Sequence, residues 1–484
     1  LLINFQITIS QPRKTALLKM TTKLGTLLSI LIALALGLLP SCSRKEESWD
    51  IVISNVSVID GISTTRVNQT VKIRDGLIIE IMPYIPDQEF NTHSLVDGNG
   101  QFLIPGLWDM HVHFLYDERL KEVMPSMFLD HGITAVRDTG GDLESLLDLR
   151  ADLMNSSEPS PDIFLSGPLL DGKFVIYDGN SPAQPELGTS TPPVDELDDF
   201  VKSMKEMGVD FIKLYELLDE ERFYALSEKA NQLDLPIASH VPLVLTADTA
   251  GPKANSMEHL RNIELSCASN WKELLQERRA LIKGFDEGLG YDLRASIQAL
   301  QRIPAIMDYD ENRCDEVLSS LTSTIQVPTL RLNTVSITKP WEEKDWDSSF
   351  HKLPLPVKEE WSARINFLSN QTSSANQKFS EWSLFLISRL LKNNVPFAAG
   401  TDAPIGFGIP GYSLHNELKL LVESGATPQQ AIKSATYTAA SFFKLEGQVG
   451  QIQEGMKANL VLLREDPLVD IRNTREINRV MVDG

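Results

Sequence analysis

Short apolar runs alternate with amphipathic segments through most of the chain, and this alternation is the first guide to its fold. Eight of the runs suit β-strands: LIPGLWDMHVHF (103–114), TAVRDTGG (134–141), DIFLSGPLLDG (162–172), DFIKLYE (210–216), PIASHV (236–241), SMEHL (256–260), IQVPTL (325–330) and PFAAGTD (396–402). Segments with helical periodicity lie between them. Eight strands that alternate with helices are typical of a (β/α)8 TIM barrel, so the pattern predicts an α/β protein built on that barrel.

Both ends of the chain have a different, β-rich pattern. The runs IVISNVSVI, TVKIR and LIIEIM lie between residues 49 and 85, and Asp75-Gly76 between the last two is a strong hairpin signal. The tail carries GQIQEGMKANLVLLRED and INRVMVDG. Since neither end is large enough to fold well alone, we expect one small β-sandwich domain, with 50–104 as its first part and 444–484 as its second.

The barrel is then expected over residues 105–443, with one unusually long connection inside it. Residues 261–324, between the sixth and seventh strands, show helical patterns such as WKELLQERRALIKGF. We predict that this segment is an insertion that caps the mouth of the barrel. It holds Cys267 and Cys314, the two cysteines besides Cys42. In an oxidising compartment this pair suggests one disulfide, and the alternative is two buried thiols.

The first 41 residues have the pattern of a leader. They contain four basic residues and no acidic ones, and Lys23 precedes an uncharged run from Leu24 to Leu39. The following LPSC resembles the signal box of bacterial lipoproteins, which implies cleavage before Cys42 and a lipid on its sulfur, with 42–49 as a linker. An uncleaved membrane anchor is the alternative. Both interpretations predict an exported, membrane-anchored protein on the periplasmic or cell-surface side.

The balance of charge narrows the range of partners. With 66 acidic and 45 basic residues, the formal net charge is −21 at pH 7. A chain this acidic argues against binding nucleic acid or an anionic lipid surface through a basic face. The expected partners are a small-molecule substrate and, through the lipid anchor, a membrane. Oligomer formation is left open.

Candidate chemistry begins in the first of the eight runs, where His111 and His113 are separated by a single residue. On an extended strand alternate side chains point the same way, about 6.5 to 7 Å apart at Cα, so both imidazoles can reach one metal ion. Four later residues are candidates to complete such a site, and each lies in or closes another strand-like run: Lys213, His240, His259 and Asp402.

Taken together, these motifs resemble the amidohydrolase superfamily, and within it the metal-dependent hydrolases similar to imidazolonepropionase and the prolidase-like carboxypeptidases. The resemblance covers residues 50–484 and rests on PGLWDMHVH, VRDTGG, VDFIKLYE, ASHV, MEHL, AAGTDAP and GQIQEGMKANLVLL. A lone His-x-His would be a weak signal. Six ligand residues in the family's order, on five different predicted strands, are a strong one.

The resemblance implies a binuclear metal centre. It assigns His111, His113 and Asp402 to one divalent ion, His240 and His259 to the other, and a carboxylated Lys213 to both as a bridge. A physical argument supports the modification, because an ammonium with an ordinary pKa of about 10.4 would be repelled by two dications, whereas reaction with carbon dioxide makes it an anionic oxygen donor. Zinc is the family's usual metal, although these donors also accept manganese, iron or cobalt.

The chemistry implied by this resemblance is hydrolysis. Two such metals would share a water and lower its pKa from about 15.7 toward roughly 7, which supplies a metal-bridging hydroxide at neutral pH. Asp402 is placed to accept the proton of that water and pass it to the leaving nitrogen, so it is the expected catalytic base and acid. We therefore predict cleavage of an amide-type C–N bond in a dipeptide, an N-acyl amino acid or a cyclic amide.

Two other functions are alternatives to hydrolysis. Deaminases on the same scaffold usually work with one metal, lack the fourth-strand lysine and carry a glutamate three residues after the fifth-strand histidine, where this chain has Leu243. An exported lipoprotein that used the barrel only to bind a ligand would be expected to lack at least one metal ligand, and none is missing. Hydrolysis is therefore preferred over both.

Residues at or beyond the ends of the predicted strands are candidates for substrate contacts, because barrel enzymes bind substrate at that face. They are Arg137, Tyr177, Tyr215, Arg261, Arg331 and His415. The arginines suit a substrate carboxylate. Structural salt bridges are the more frequent fate of arginine, so we expect only one or two of them to contact substrate.

Overall fold

A computed structural model of the protein describes residues 48–181, 184–369 and 373–484. The expected leader, the lipid attachment at Cys42 and nearly all of the linker fall outside these residues and stay predictions. Within the described ranges, no helix has the length and apolar character needed to cross a membrane.

The described part of the chain is made of short strands and of helices. The strands are β1 Trp49–Val58, β2 Arg66–Arg74, β3 Leu77–Pro83, β4 Thr92–Asp97, β5 Phe102–Pro105, β6 Leu107–Val112, β7 Ile133–Asp138, β8 Asp162–Leu165, β9 Leu169–Asp171, β10 Asp178–Ser181, β11 Gln184–Glu186, β12 Gly188–Ser190, β13 Ile212–Leu214, β14 Ile237–Ser239, β15 Ser256–Glu258, β16 Ile325–Val327, β17 Leu460–Leu463 and β18 Ile477–Met481. The α-helices are α1 Met124–Asp130, α2 Leu143–Asn155, α3 Leu197–Met207, α4 Glu220–Gln232, α5 Ala247–Ala250, α6 Ile263–Ser266, α7 Trp271–Lys283, α8 Gly290–Met307, α9 Glu311–Ser319, α10 Leu330–Asn333, α11 Val335–Thr338, α12 Trp346–Phe350, α13 Leu355–Leu368, α14 Ser374–Lys392, α15 Tyr412–Glu423, α16 Pro428–Ser434 and α17 Tyr437–Phe442.

Parallel strands form the frame that carries the candidate residues. β6, β7 and β8 pair side by side, and β9, β13, β14, β15 and β16 do the same in a second parallel sheet. The backbone N–H of Asp210 donates to the carbonyl of Leu165 at 2.9 Å, which joins the two sheets. The segment from Phe397 to Ala403 bridges β16 at one end and β6 at the other. Followed from each strand to the next, the pairing that starts at β6 therefore leads back to β6. The predicted mixed α/β class is confirmed.

Three of the predicted strands differ from expectation. The run at 103–114 is two strands, β5 and β6, divided at Gly106, where a Cβ would lie 2.1 Å from Oγ1 of Thr134 in β7. The third run splits into β8 and β9 around Gly167, whose φ of 71° is a left-handed conformation that glycine adopts readily. The eighth run forms isolated bridges in place of a continuous ladder.

Both chain ends contribute to one seven-stranded sheet, in the order β18-β17-β5-β1-β2-β3 with β4 beside β1. The connection is β17, which pairs antiparallel with β5 from Leu460 opposite Pro105 to Leu463 opposite Phe102. Apolar side chains from the two ends pack in a core of their own, which includes Ile53, Val71, Ile73, Ile452, Leu460 and Leu462. The expected association of the two β-rich segments is thus present as a shared sheet.

The long connection between β15 and β16 is helical and holds α6 to α9. Cys267, directly after α6, is joined by a disulfide to Cys314 in α9, and both residues are fully buried. The bond ties the far end of the insertion to the segment that follows β15.

Candidate metal centre

All six predicted ligand residues line one cavity of about 300 Å³. They lie in or just after the strands of the parallel frame: His111 in β6, His113 after it, Lys213 in β13, His240 after β14, His259 after β15, and Asp402 beside the bridge at Ala403. Because parallel strands end at the same face, residues far apart in sequence meet there.

His111, His113 and Asp402 form a close group. The Nε2 atoms of the two histidines lie 3.3 and 3.2 Å from Oδ1 of Asp402, and one potential ligand atom from each residue falls within 4.8 Å of the others. The backbone N–H of Asp402 donates to the carbonyl of His111 at 2.7 Å. Gly400 permits this approach, since a Cβ there would lie 3.0 Å from Cβ of His111. The geometry fits three ligands of one metal ion.

Each of the four histidines is held through its Nδ1 atom, which leaves Nε2 as the candidate ligand atom. The partners are Glu258 for His111 (2.6 Å), Glu216 for His240 (2.9 Å), Thr329 for His259 (2.8 Å) and the carbonyl of Gly140 for His113 (3.2 Å). Metal-binding histidines commonly use their second nitrogen in this way, because the hydrogen bond fixes both the tautomer and the ring orientation.

Burial keeps three of these imidazoles neutral. Desolvation, together with the nearby charge of Lys213, lowers the pKa of His111 to about 4 and that of His240 to about 3. Desolvation and the charge of Arg261 hold the pKa of His259 well below its usual value. Burial also acts to lower the pKa of His113, but its interaction with Asp402 outweighs that effect and raises it. Neutral imidazole is the form that binds a metal ion.

Lys213 and Asp402 carry buried polar atoms that lack hydrogen-bond partners in the described structure. Nζ of the fully buried Lys213 lies 4.0 Å from Oε2 of Glu258 and has no hydrogen bond. Oδ1 of Asp402 lies 3.2 Å from Nε2 of His113, but the two atoms do not have hydrogen-bond geometry. Burial lowers the pKa of Lys213 to about 7. Burial would raise the pKa of Asp402, but the interactions with His111 and His113 hold it well below its usual value. Unsatisfied buried groups are costly. The Asp402 oxygen fits a bound cation as it stands, and Lys213 would do so once carboxylated.

A buried charge network supports His111, and the sequence reasoning did not identify it. Glu258 accepts hydrogen bonds from Nδ1 of His111 at 2.6 Å and from the Arg137 guanidinium at 2.8 and 3.0 Å. Arg137 also donates to the Met110 carbonyl and to Ser256. The predicted contact between Arg137 and substrate is therefore wrong, because this guanidinium is fully buried and donates its hydrogen bonds to protein acceptors.

Two other residues predicted to contact substrate, Arg331 and His415, are also engaged by the protein itself. The guanidinium of Arg331 donates to the carbonyls of Ile405 and Gly406. The imidazole of His415 lies between Thr474 and the carbonyl of His131, at 2.9 and 3.0 Å, and is buried. Neither side chain lines the cavity that holds the candidate ligands.

Tyr177, Tyr215 and Arg261 do line the cavity. The Tyr215 ring lies 4.3 Å from the His240 ring, centroid to centroid, and 6.1 Å from that of Tyr177. Other polar lining residues were missed: Tyr116, Gln184, Tyr291, Arg294 and Arg364. Tyr291, Arg294 and Arg364 come from α8 and α13, where helical periodicity predicts an element but does not show which polar side chain turns toward a site.

Arg294 connects the insertion to the ligand cluster. Its guanidinium donates to Glu216 at 3.2 Å, and Glu216 holds Nδ1 of His240. All three side chains are buried. A helix of the insertion thereby helps to orient a candidate ligand.

Comparison with known proteins supports the family resemblance. Residues 374–484 match the model of the amidohydrolase family. An ochratoxinase of Aspergillus niger is 34% identical over 143 residues, which are 28% of this chain and 29% of that protein. An adenine deaminase of Bacillus subtilis (strain 168) is 28% identical over 96 residues, 20% of this chain and 16% of that protein. The chain thus matches less than a third of the length of these curated relatives.

The fold comparison extends over far more of the chain. The crystal structure of a Xaa-Pro dipeptidase with bound methionine superposes with a TM-score of 0.63 and 18% identity, covering 90% of this chain and 98% of the dipeptidase. At that identity the match concerns the fold alone. Together with the motifs, the sequence matches support the resemblance: residues 374–484 match the amidohydrolase family, and the fold is similar to that of the dipeptidase.

Proposed function

We propose that this protein is a binuclear metal-dependent hydrolase that cleaves an amide-type C–N bond in a small molecule bearing a carboxylate. The observation that carries the proposal is the convergence of six candidate ligands on one cavity, with the four imidazoles oriented through Nδ1 and with Lys213 and Asp402 left unsatisfied. We interpret the circuit of parallel strands as a (β/α)8 barrel over residues 105–443, and the shared terminal sheet as part of a β-sandwich formed by 50–104 and 444–484.

Two divalent ions, most simply zinc, suit these donors. His111, His113 and Asp402 would hold one, His240 and His259 the other, and Lys213 would reach both once carboxylated. When bound, the ions would acidify a water and polarise the carbonyl under attack. The reaction adds the hydroxyl of water to the acyl carbon, breaks the C–N bond and transfers a proton to the departing amine.

Asp402 has the properties of the group that moves this proton. Its carboxyl is ionised at neutral pH, because interactions with His111 and His113 hold its pKa well below the usual value. One of its oxygens faces the ligand cluster without a hydrogen bond. A carboxylate in that position can accept a proton from water and give it to the leaving nitrogen.

Lys213 is suited to carboxylation by carbon dioxide. The reaction forms an N–C bond from the neutral amine and releases one proton from that nitrogen. Burial lowers the pKa of Lys213 to about 7, so a large fraction of the amine is neutral near physiological pH. The modification would place anionic oxygens where the amine now has no hydrogen-bond partner.

Carboxylation of Lys213 in the metal-free protein should therefore increase with pH. Below its pKa of about 7 the ammonium form predominates and is unreactive, whereas above it the free amine predominates. An ordinary lysine, with a pKa of about 10.4, would stay protonated across this range. The measurement is carbon-13 NMR with labelled bicarbonate, at constant dissolved carbon dioxide. A carbamate signal that persists in Lys213→Ala would contradict the assignment.

Arg261 is the proposed anchor for the substrate carboxylate. It lines the cavity two residues after His259, and its Nε atom is buried without a hydrogen-bond partner among the described residues. Charge-assisted hydrogen bonds of a guanidinium suit a carboxylate, and the rings of Tyr177 and Tyr215 lie in the same cavity wall.

Substitution of Arg261 by methionine should raise KM for carboxylate substrates by about 10- to 100-fold, since a hydrogen bond to a charged group contributes about 1.5 to 3 kcal/mol. Steady-state kinetics on matched free-acid and amide forms of one substrate measure the effect. The wild-type preference for the free acid should disappear in Arg261→Met. An unchanged preference would show that another residue binds the carboxylate.

The overall function can be tested with a panel of N-acyl amino acids, dipeptides and cyclic amides. The protein is supplied with zinc and bicarbonate, its metal content is measured, and release of amine is followed. Stoichiometric metal with cleavage of at least one class supports the proposal. Absence of bound metal would favour a barrel that only binds a ligand. The adenine deaminase match makes adenine a necessary control, although the fully buried Leu243 occupies the position of a deaminase glutamate.

We also propose that the protein is an exported lipoprotein anchored through Cys42. The disulfide between Cys267 and Cys314 supports an oxidising compartment, since such bonds persist mainly outside the cytoplasm. Metabolic labelling with a fatty acid, compared with a Cys42→Ala variant, tests the anchor.

A further inference from the structure

The cavity has a cationic wall, although the chain as a whole is acidic. Apart from the candidate ligands, the charged residues that line it are Arg261, Arg294 and Arg364. The chain has 66 acidic and 45 basic residues. A concentration of one sign of charge in a cleft attracts ligands of the opposite sign. The cavity therefore favours anionic small molecules.

The three arginines differ in how far the protein neutralises them. Arg294 is paired with the buried Glu216 at 3.2 Å. Arg261 has no ion-pair partner among the described residues. Arg364 lies 3.7 Å from Glu360, but Glu360 also pairs with Arg119 at the shorter distance of 2.8 Å. The charge of Arg261 does act on the carboxyls of Glu216 and Asp402, whose pKa values it lowers. The two cationic groups, at Arg261 and Arg364, are thus only partly compensated.

Arg261 and Arg364 approach the ligand cluster from different elements. Arg261 follows β15 and lies close enough to His240 and His259 for its charge to lower the pKa of both. Arg364 is on α13, and its guanidinium lies over the ring of Phe407, at 5.3 Å, on the loop that follows Asp402. Both line the cavity that holds the candidate metal ligands, so a molecule bound there meets two cationic groups on different elements.

We propose that the preferred substrates carry two anionic groups, one on each side of the scissile bond, with the first held by Arg261 and the second by Arg364. The chemical class is an amino acid whose amide nitrogen carries a dicarboxylic acyl group, or a dipeptide with an acidic first residue. This inference rests on the proposed hydrolase function and adds the second anion to it. The apolar side chains in the cavity wall are few, Leu169, Leu332 and Ile405, which agrees with a polar substrate.

The test compares N-succinyl and N-succinamoyl derivatives of one amino acid, chosen as the residue that is cleaved best in the acyl-amino acid panel. The two compounds have nearly the same shape and differ in the charge of the distal group. The wild-type protein should show a KM about tenfold lower for the succinyl compound, as expected for one charge-assisted contact at a solvent-exposed rim. Because the contact is electrostatic, the difference should decrease as salt is added.

Variants at position 364 decide which residue recognises the second anion. Arg364→Gln should abolish the preference, and Arg364→Glu should reverse it. Arg222→Gln is the matched control, because Arg222 is also a helical arginine paired with a nearby carboxylate, Asp219, and does not line the cavity. Equal KM values for the two compounds in the wild type, or a preference that survives in Arg364→Gln, overturns the inference and leaves the hydrolase proposal intact. If neither compound is cleaved, and no other member of the panel is cleaved, both the hydrolase proposal and this inference are overturned.

Discussion

Replacing Lys213 with methionine is expected to abolish metal binding and hydrolysis and, at the same time, to stabilise the metal-free protein. Both effects follow from one observation, a buried amine without a hydrogen-bond partner among the described residues. Methionine has a similar length but can neither react with carbon dioxide nor bridge two cations. Loss of the bridging ligand should lower kcat/KM by more than about 1,000-fold, since metal stabilisation of the transition state contributes several kcal/mol.

The stability gained by Lys213→Met should depend on pH, and the pKa of Lys213 determines whether the gain rises or falls as pH increases. Burial lowers that pKa to about 7, compared with about 10.4 for the unfolded chain. Between these values the unfolded state binds one more proton at this site than the folded state does, so the contribution of Lys213 becomes less unfavourable as pH rises. The difference in the free energy of unfolding between Lys213→Met and wild type should therefore be largest near neutral pH and below, about 1 to 3 kcal/mol, and should shrink above it.

Denaturant unfolding of the metal-free proteins at several pH values, together with metal analysis, measures both effects. Lys72→Met is the matched control: Lys72 is also largely buried, but it pairs with Glu80 at 2.9 Å in the terminal sheet. That variant should keep its metal and gain no stability. Rescue of Lys213→Ala by a short carboxylic acid such as propionate would further support an anionic bridge. If Lys213→Met retained two metal ions, the role proposed for the lysine would be wrong.

The sequence predicts the candidate ligands better than it predicts the residues around them. His111, His113 and Lys213 lie in or next to apolar runs, and the alternation of runs with helices places the ends of parallel strands together. Those two regularities are local, so they can be detected in the sequence. The six residues consequently share a cavity in the structure.

The supporting residues depend on long-range packing, which local patterns do not encode. Arg137 and Glu258 are 121 positions apart and meet only because β7 and β15 belong to the same frame. Arg137 lies near the end of its strand, so position alone suggested a substrate contact. Side chains of a strand alternate between its two faces, and the sequence did not show which face was occupied by a carboxylate.

The division of the predicted strands has a more local explanation. The run at 103–114 contains Pro105-Gly106, a local break signal that the prediction of one strand did not take into account. Gly106 marks the change from the terminal sheet to the parallel frame, where a side chain would collide with Thr134. The cationic wall of the cavity was missed because Arg294 and Arg364 belong to helices in long connections. Their place at the cavity is set by how those helices pack.

Replacing Glu258 with glutamine should both destabilise the protein and weaken metal binding, and the two effects can be separated. Burial would raise the pKa of Glu258, but the charges of Arg137 and Lys213 hold it well below its usual value, so the carboxylate is ionised in the folded protein. Its loss leaves the fully buried Arg137 without its ion-pair partner. Removing one partner of a buried ion pair typically costs about 3 to 5 kcal/mol in the free energy of unfolding.

Metal affinity should fall for a different reason. Glu258 holds Nδ1 of His111 at 2.6 Å, which directs Nε2 toward Asp402. Loss of such a supporting carboxylate commonly lowers metal affinity by about 10- to 100-fold. A variant that also replaces Arg137 with methionine removes the unpaired buried charge, so the double variant should recover most of the stability measured by denaturant unfolding. Its metal affinity, measured by competition with a chelator, should stay low, because His111 still lacks its carboxylate. Recovery of metal affinity together with stability would mean that Glu258 acts on the fold alone and does not position His111.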